Sequence, residues 1–398
     1  MNIGFLTPEY VTPTAPEGGL ANYIRKVGSA LVSLGHEVSV FALSHRDQSW
    51  KDGQIAVYEL KRPVLPMWPK GRPFRSLATQ LLSSKRLQAA VFKVHGVSSF
   101  DVLQASSYQV PGYMLRHNRH VALVCRISSY SPLWRAAYGT QRRFGDYLCD
   151  WLEIRQVVDA DASFAPSRFI AETFARLEGH QPEVIRTPID IDETAIDPSF
   201  YRDHISGGPY LLFFGTLSRI KGTDLLRDVI PPVLERHRDL SFVFVGRDDG
   251  FPGVPKMFDY ISSRSSGVEG RLHWFAPLPK AQLYPIITNA LGVVMPSRVD
   301  NYPNACLEAQ SLGVPVVGTY DSSLDEMIVD GETGFLARNG DPYSLRQAVE
   351  TLLAMNSPER KQMKQLIGEH VRSISSQDRV GQLLSLYEST IDKFQPDS

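Results

Sequence analysis

Apolar positions along the chain keep two rhythms. Short apolar runs at residues 3–7, 38–43, 55–60, 102–105 and 121–127 have the length of buried strands. Between them lie stretches at helical spacing. Residues 20–34 place Leu20, Ile24, Val27, Leu31 and Leu34 on one face and stop at Gly35. Residues 74–94 form a longer amphipathic pattern. Periodicity then breaks across Pro188, Pro198, Gly207, Gly208 and Pro209, which reads as a linker. It restarts with apolar runs at 210–214, 242–245, 272–275, 292–295 and 314–317, again separated by helical segments, and ends in a broken helical stretch over 341–394. Short buried strands alternating with helices predict parallel, doubly wound sheets. The expected division is a first α/β domain at 1–186, a linker at 187–209, a second α/β domain at 210–375, and a terminal helix at 376–398 packing back on the first. Ligands of such sheets sit at the carboxyl ends of the strands, here facing a cleft between two domains.

Composition narrows the classes. Of 398 residues, 43% are apolar and 21% charged, which excludes disordered and fibrous chains. A net charge of -1 argues against a dedicated nucleic-acid binder. Cys125, Cys149 and Cys306 have neither CxxC spacing nor a His pattern nearby, so they read as reduced packing residues. The chain enters its first strand without a basic leader, and no apolar run nears the ~20 residues of a membrane span. A cytoplasmic protein is expected. The charge is uneven, however. Between Lys61 and Gly145 stand fourteen lysines and arginines against one acid, Asp101. With Trp68, Phe74, Leu77, Leu81 and Leu82 nearby, these cations suggest peripheral docking on the anionic inner face of a membrane; a solvated face is the plainer alternative.

Three segments carry candidate chemistry. In Met295-Pro-Ser-Arg-Val-Asp300-Asn-Tyr-Pro-Asn-Ala-Cys-Leu-Glu308-Ala-Gln-Ser-Leu-Gly313-Val-Pro315-Val-Val, a strand ends in a polar loop that opens a helix at Pro303 and closes it at Gly313. Helix N-termini attract phosphate, and the acids at its mouth and within it can accept hydrogen bonds from a sugar and a ribose. In Phe213-Phe-Gly215-Thr-Leu-Ser-Arg219-Ile-Lys221-Gly222, a strand runs into a glycine turn with two cations that can neutralise a diphosphate. In Pro16-Glu17-Gly18-Gly19-Leu20-Ala21-Asn22-Tyr23, two glycines allow close approach of backbone to ligand, though not in the spacing of a dinucleotide fingerprint. Asp248 and Asp249, adjacent after a strand, are weak as a metal site.

Together these segments resemble the retaining family 4 glycosyltransferases (glycosyl transferases group 1), with the GT-B fold of two Rossmann-like doubly wound domains facing a central cleft. The resemblance implies that Glu308 binds the donor ribose, Asp300 contacts the transferred sugar, and Lys221 and the Gly18-Gly19 loop hold the donor phosphates. Leu278 aligns with a position whose backbone reads the base. Asp159-Ala-Asp161-Ala-Ser-Phe-Ala-Pro166-Ser167 resembles the strand closing the first domain, and Asp330-Gly-Glu-Thr-Gly-Phe-Leu336 the turn after the last strand of the second. Several positions depart from the pattern. Asp300 is one methylene shorter than the usual Glu. Thr216 stands where the family has an Arg, with Arg219 as the substitute cation. Pro303 replaces a glycine and has no N–H, which leaves the cradle to Asn301, Tyr302 and Asn304. Gln104, Ser106, Ser128 and Ser129 occupy acceptor-side seats where histidines are common. The implied reaction is transfer of a hexose from a UDP-, GDP- or ADP-linked donor to a glycan, lipid-linked or small-molecule acceptor in surface glycan or glycolipid synthesis. It would proceed by a front-face route, with no cofactor, no obligatory metal and no nucleic acid. A nucleotide-sugar epimerase and a weakened nucleotide-sugar-binding protein are the alternatives.

Overall fold

A computed structural model describes residues 1–11, 18–65, 74–95, 99–188, 196–375 and 377–394. Pro13, Pro16, Glu17, Trp68, Lys70 and Arg72, along with 189–195 of the expected linker, lie outside them. The chain divides into two compact units. One comprises Met1–Arg135, Gln141–Pro188 and Asp378–Ser398; the other comprises Ala136–Thr140 and Ile189–Gln377.

Elements follow in chain order as β1 (Asn2–Thr7), α1 (Gly19–Ser33), β2 (Glu37–Ser44), β3 (Gln48–Asp52), β4 (Ile55–Lys61), α2 (Arg75–His95), β5 (Val102–Ser106), β6 (Ala122–Arg126), α3 (Ser131–Tyr138), α4 (Phe144–Val158), β7 (Ala162–Ala165), α5 (Arg168–Glu178), β8 (Glu183–Val184) and α6 (Ser199–His204). They continue as β9 (Tyr210–Phe214), α7 (Leu226–Arg236), β10 (Ser241–Val245), α8 (Met257–Ser262), β11 (Leu272–Phe275), α9 (Lys280–Thr288), β12 (Gly292–Val294), α10 (Asn304–Ser311), β13 (Val316–Thr319), β14 (Gly334–Ala337), α11 (Pro342–Ala354), α12 (Ser357–Ser375) and α13 (Arg379–Lys393).

The first unit holds a sheet in the order β3-β4-β2-β1-β5-β6-β7-β8. All its neighbours pair in parallel except β3 and β4, an antiparallel edge. Residues of one strand alternate between two cores, as a two-faced sheet requires. Ile3 and Phe5 of β1 pack in one cluster with Val40 and Val124, while Leu6 packs in another with Phe41 and Leu123. The second sheet, β11-β10-β9-β12-β13-β14, is parallel throughout. Here too Leu211 and Phe213 face one cluster, and Tyr210, Leu212 and Phe214 the other.

Three elements correct the sequence reading. The segment 330–336 is not a turn beyond the last strand: residues from Gly334 form β14, paired with β13. The expected linker carries α6. Strand β3, of sequence QSWKD, had no apolar run to announce it. Among the described residues no helix is long and apolar enough to cross a membrane.

Candidate active site

The carboxyl ends of β9, β10, β12 and β13 in the second unit gather the candidate residues. Gly215 and Gly246 end β9 and β10 so closely that a Cβ on Gly246 would stand 1.9 Å from Gly215 O. Beyond Gly215 the loop runs to Gly222, whose φ is +67° and whose hypothetical Cβ would lie 1.7 Å from Pro296 O. Only glycine lets the loop after β9 touch the loop after β12 at that point.

This contact brings Lys221 to Asp300. Lys221 Nζ donates to Asp300 Oδ2 at 2.6 Å. Ser297 Oγ donates to the same oxygen at 3.0 Å, and Asn301 N donates to Oδ1 at 3.0 Å. The carboxylate is thus buried and held by three donors, with its side chain 11% exposed against 34% for Lys221. Asp300's short reach is met by the lysine coming to it. Of three ammonium protons, Asp300 takes one, which leaves two for an anionic ligand.

A residue that the sequence reading missed holds this arrangement. Arg298 is clamped to Asp224 through Nη1 (2.5 Å) and Nη2 (3.0 Å), while Nη1 also donates to Arg219 O at 2.8 Å. Its own amide donates to Ile220 O at 2.8 Å. The loop bearing Lys221 is therefore pinned by side chain and backbone of the loop bearing Asp300. Nothing local marked Arg298, since its partner lies 74 positions away.

Glu308 lies within α10, half-buried, with Oε1 3.9 Å from Lys280 Nζ at the start of α9. Lys280 was also missed; it follows Leu278, which is half-buried against the adjacent core. Pro303 forms the N-cap of α10, and the first helical residue is Asn304. The leading amides of a helix have no partner within it, and Asn304 is the first residue of α10. Tyr302 does not keep its place in the expected cradle: its N–H donates to Ser323 Oγ at 2.9 Å. Tyr302 and Ser323 have φ of 60° and 67°, a left-handed backbone that bulky residues seldom adopt. Each turns inward, and the amide is spent on closing the two loops together.

Arg219 also sits differently from the expectation. Its guanidinium lies over the Phe251 ring at 5.7 Å and donates to Tyr138 O at 3.3 Å, with Asp224 at 3.9 Å. Beside Thr216 the cation is instead Arg247, whose Nη2 donates to Thr216 Oγ1 at 3.4 Å. Asp248 and Asp249 diverge: Asp248 accepts from Met257 N at the start of α8, while Asp249 faces Arg247 at 3.6 Å.

In the first unit, Gly18 is hemmed in by Glu9, whose Oε1 would meet an added Cβ at 2.9 Å, whereas Gly19 opens α1 with nothing within 4 Å. Gln104 and Ser106 are buried, contrary to acceptor-contacting seats. Gln104 Oε1 accepts from Tyr387 OH at 2.5 Å, and Ser106 Oγ donates to Tyr108 O at 3.3 Å. Ser128 and Ser129 are half-buried after β6. Ser129 Oγ donates to Glu153 Oε1 at 2.7 Å, and Ser131 N donates to Oε2 at 3.1 Å. Burial raises the Glu153 carboxyl to about 7, against the lowering pull of those two serines.

Comparison with known proteins identifies the class. Residues 208–355 match the glycosyl transferases group 1 family, and residues 17–193 match glycosyltransferase family 4. The chain belongs to the family 4 glycosyltransferases. It is 30% identical over 179 residues to a D-inositol 3-phosphate glycosyltransferase of Corynebacterium diphtheriae, a match covering 44% of this chain and 42% of that one. A namesake from Corynebacterium urealyticum is 24% identical over 404 residues, covering 94% of this chain and 92% of the relative. Among solved structures, sucrose-phosphate synthase from Thermosynechococcus elongatus shares the fold with a TM-score of 0.82 at 17% identity, over 99% of this chain and 100% of that one. HepE of Anabaena, solved with UDP and glucose, has a TM-score of 0.68 at 17% identity, over 98% and 100% of the two chains. The fold is GT-B, and this glycosyltransferase is an enzyme of the transferase class.

Proposed function

We propose that this glycosyltransferase moves a hexose, with retention of anomeric configuration and without a metal, from a nucleotide-sugar to a hydroxyl of a small polyol, glycan or lipid-linked acceptor. The observation that carries the reading is the Lys221–Asp300 pair: an ammonium with two spare protons, fixed 2.6 Å from a carboxylate at the carboxyl edge of the second sheet. Lys221 meets the charge that grows on a departing diphosphate, and such a preorganised donor acts most strongly out of bulk water. Asp300 accepts from the sugar hydroxyls, and Glu308 on α10 accepts from the ribose. On the front-face route, the C–O bond to phosphate breaks as the acceptor oxygen bonds to the same face, and the leaving phosphate oxygen takes the acceptor proton.

UDP-hexose is the first donor to test, since HepE holds UDP and glucose. Inositol phosphate is the first acceptor, on the names of the sequence relatives. Calorimetric titration with UDP, GDP and ADP compounds should single out one base. Absence of heat with all of them sinks the donor reading. Glu308→Ala should raise the donor KM more than it lowers kcat, and an unchanged KM removes the ribose role. Turnover should survive EDTA, and the product anomer, read by NMR, should match the donor; an inverted product ends the front-face route.

A further inference from the structure

Helix α4 sends its aromatic side chains outward and its acids inward. Phe144, Tyr147 and Trp151 follow one another at three- and four-residue intervals, so they share one helix face. They are 65%, 53% and 52% exposed. Phe74, 41% exposed at the entry to α2, extends the patch, with its ring 6.1 Å from that of Phe144. The acids of the same helix are engaged elsewhere. Asp146 and Asp150 both take Arg135, at 3.1 and 3.0 Å, and Glu153 is buried against Ser129 and Ser131. What rims the rings is positive: Arg142 and Arg143 are exposed, and the Arg142 guanidinium lies 5.4 Å from the Tyr147 ring centre.

Contiguous exposed rings of this kind mark a surface that meets something apolar. Charge says what. Of the cations in the basic stretch, Arg86, Arg116 and Arg135 pair with acids and Arg126 is buried, which leaves Arg142 and Arg143 as the charges placed beside the rings. A second copy docked through the same face would set Arg142 and Arg143 against themselves, because a two-fold interface joins like to like. An anionic bilayer answers both features. Its phosphates pair with arginine, and the boundary below them takes the amphipathic rings of Trp and Tyr. We propose that the exposed aromatic face of α4, with Phe74, docks this protein on the surface of an anionic phospholipid bilayer, Arg142 and Arg143 engaging the headgroup phosphates. This surface is independent of the donor reading above.

The test uses the full chain at physiological salt with phosphatidylcholine vesicles, with or without phosphatidylglycerol. The protein should sediment with the anionic vesicles only. Phe144→Ser combined with Trp151→Ser should cut the bound fraction by roughly tenfold, and Arg142→Ala with Arg143→Ala should weaken binding while adding salt sensitivity. All four positions are exposed, and an unchanged melting temperature confirms that the variants fold. Bromine on the acyl chains should quench part of the tryptophan emission, and Trp151→Phe should abolish that quenching while still sedimenting. The proposal is overturned by failure to sediment with anionic vesicles, by undiminished binding of the Phe144/Trp151 variant, or by quenching that persists without Trp151. Sedimentation velocity showing a dimer that the same variant dissociates would overturn it too, making the face a self-interface.

Discussion

At the scale of single residues, Lys221 has the most to lose. Its ammonium touches Asp300 at 2.6 Å with 34% of its side chain exposed, whereas Asp300 is buried, so removing the lysine strands a carboxylate held only by Ser297 and Asn301 N and lowers stability. The proposed function gives it a catalytic role. Lys221→Ala should lower the melting temperature while the chain still folds, and lower kcat of the folded enzyme by roughly 10²–10³; near wild-type turnover would refute the role. Glu153 behaves in the opposite way. Its carboxyl titrates near 7 when folded against an ordinary 4.5, because burial opposes ionisation. Between those values the folded chain keeps a proton that the unfolded chain has released, so this residue's effect on stability turns unfavourable as pH rises. The penalty is complete above the folded value, at about 3 kcal/mol for a shift of this size. Glu153→Gln cannot ionise. The stability of the variant relative to wild type should therefore grow across that window and level off on either side, as read by urea melts at several pH values. A difference constant with pH would show that the carboxyl does not titrate there. Of these residues, Lys221, Asp300 and Glu308 could be named from their motifs. Arg298 and Lys280 could not, because each matters through a partner distant in sequence.

At the scale of elements, the apolar runs announced the central strands and failed at the margins, for physical reasons. A strand buried on both faces must be apolar throughout, as β9 is with all five residues buried. Edge strands have no such need. β3 exposes alternate residues and offers only Trp50 as an apolar signal, and β8 has two residues, both exposed. β14 was hidden by the glycines and acids of the turn before it, which dominate a local reading. The two loops of the candidate site show what sequence hides most. Their register depends on Gly222 meeting Pro296 O, a contact between segments more than seventy positions apart. Gly222→Ala would set a methyl group 1.7 Å from that oxygen at φ +67°. The loss should exceed the ~1–2 kcal/mol that left-handed backbone alone costs, and it should lower kcat as well, since Lys221 is the neighbouring residue. Denaturant melts and kinetics check both. If stability falls without any change in kcat, the glycine serves only the fold.

At the scale of the whole molecule, each unit has its own sheet and cores, yet the first is not finished until the end of the chain. α13 returns after the entire second unit and places Leu383, Leu386 and Tyr387 in the cluster that holds Ile3, Phe5, Val102 and Val124. Tyr387 is fully buried, and its hydroxyl donates to Gln104 Oε1 at 2.5 Å, tying α13 to β5. The sequence leads one to expect a terminal helix at 376–398 packing back on the first domain, but not which strand it would meet or that a tyrosine hydroxyl would tie it there. Truncation to alanine removes an aromatic ring from a closed core and orphans the buried Gln104 carbonyl. The ring alone costs about 3–5 kcal/mol by analogy with other aromatic-to-alanine changes, and an unsatisfied buried acceptor adds about 1–3 kcal/mol. Hydrogen exchange followed by mass spectrometry locates the damage. Tyr387→Ala should release protection in β1, β2, β5 and β6, while β9, β10, β12 and β13 keep theirs. Tyr387→Phe keeps the ring and loses only the hydrogen bond, so it should show the same pattern at smaller size. Equal loss in both sheets would mean that α13 supports more than the unit it packs in, and intact protection everywhere would remove it from the core altogether.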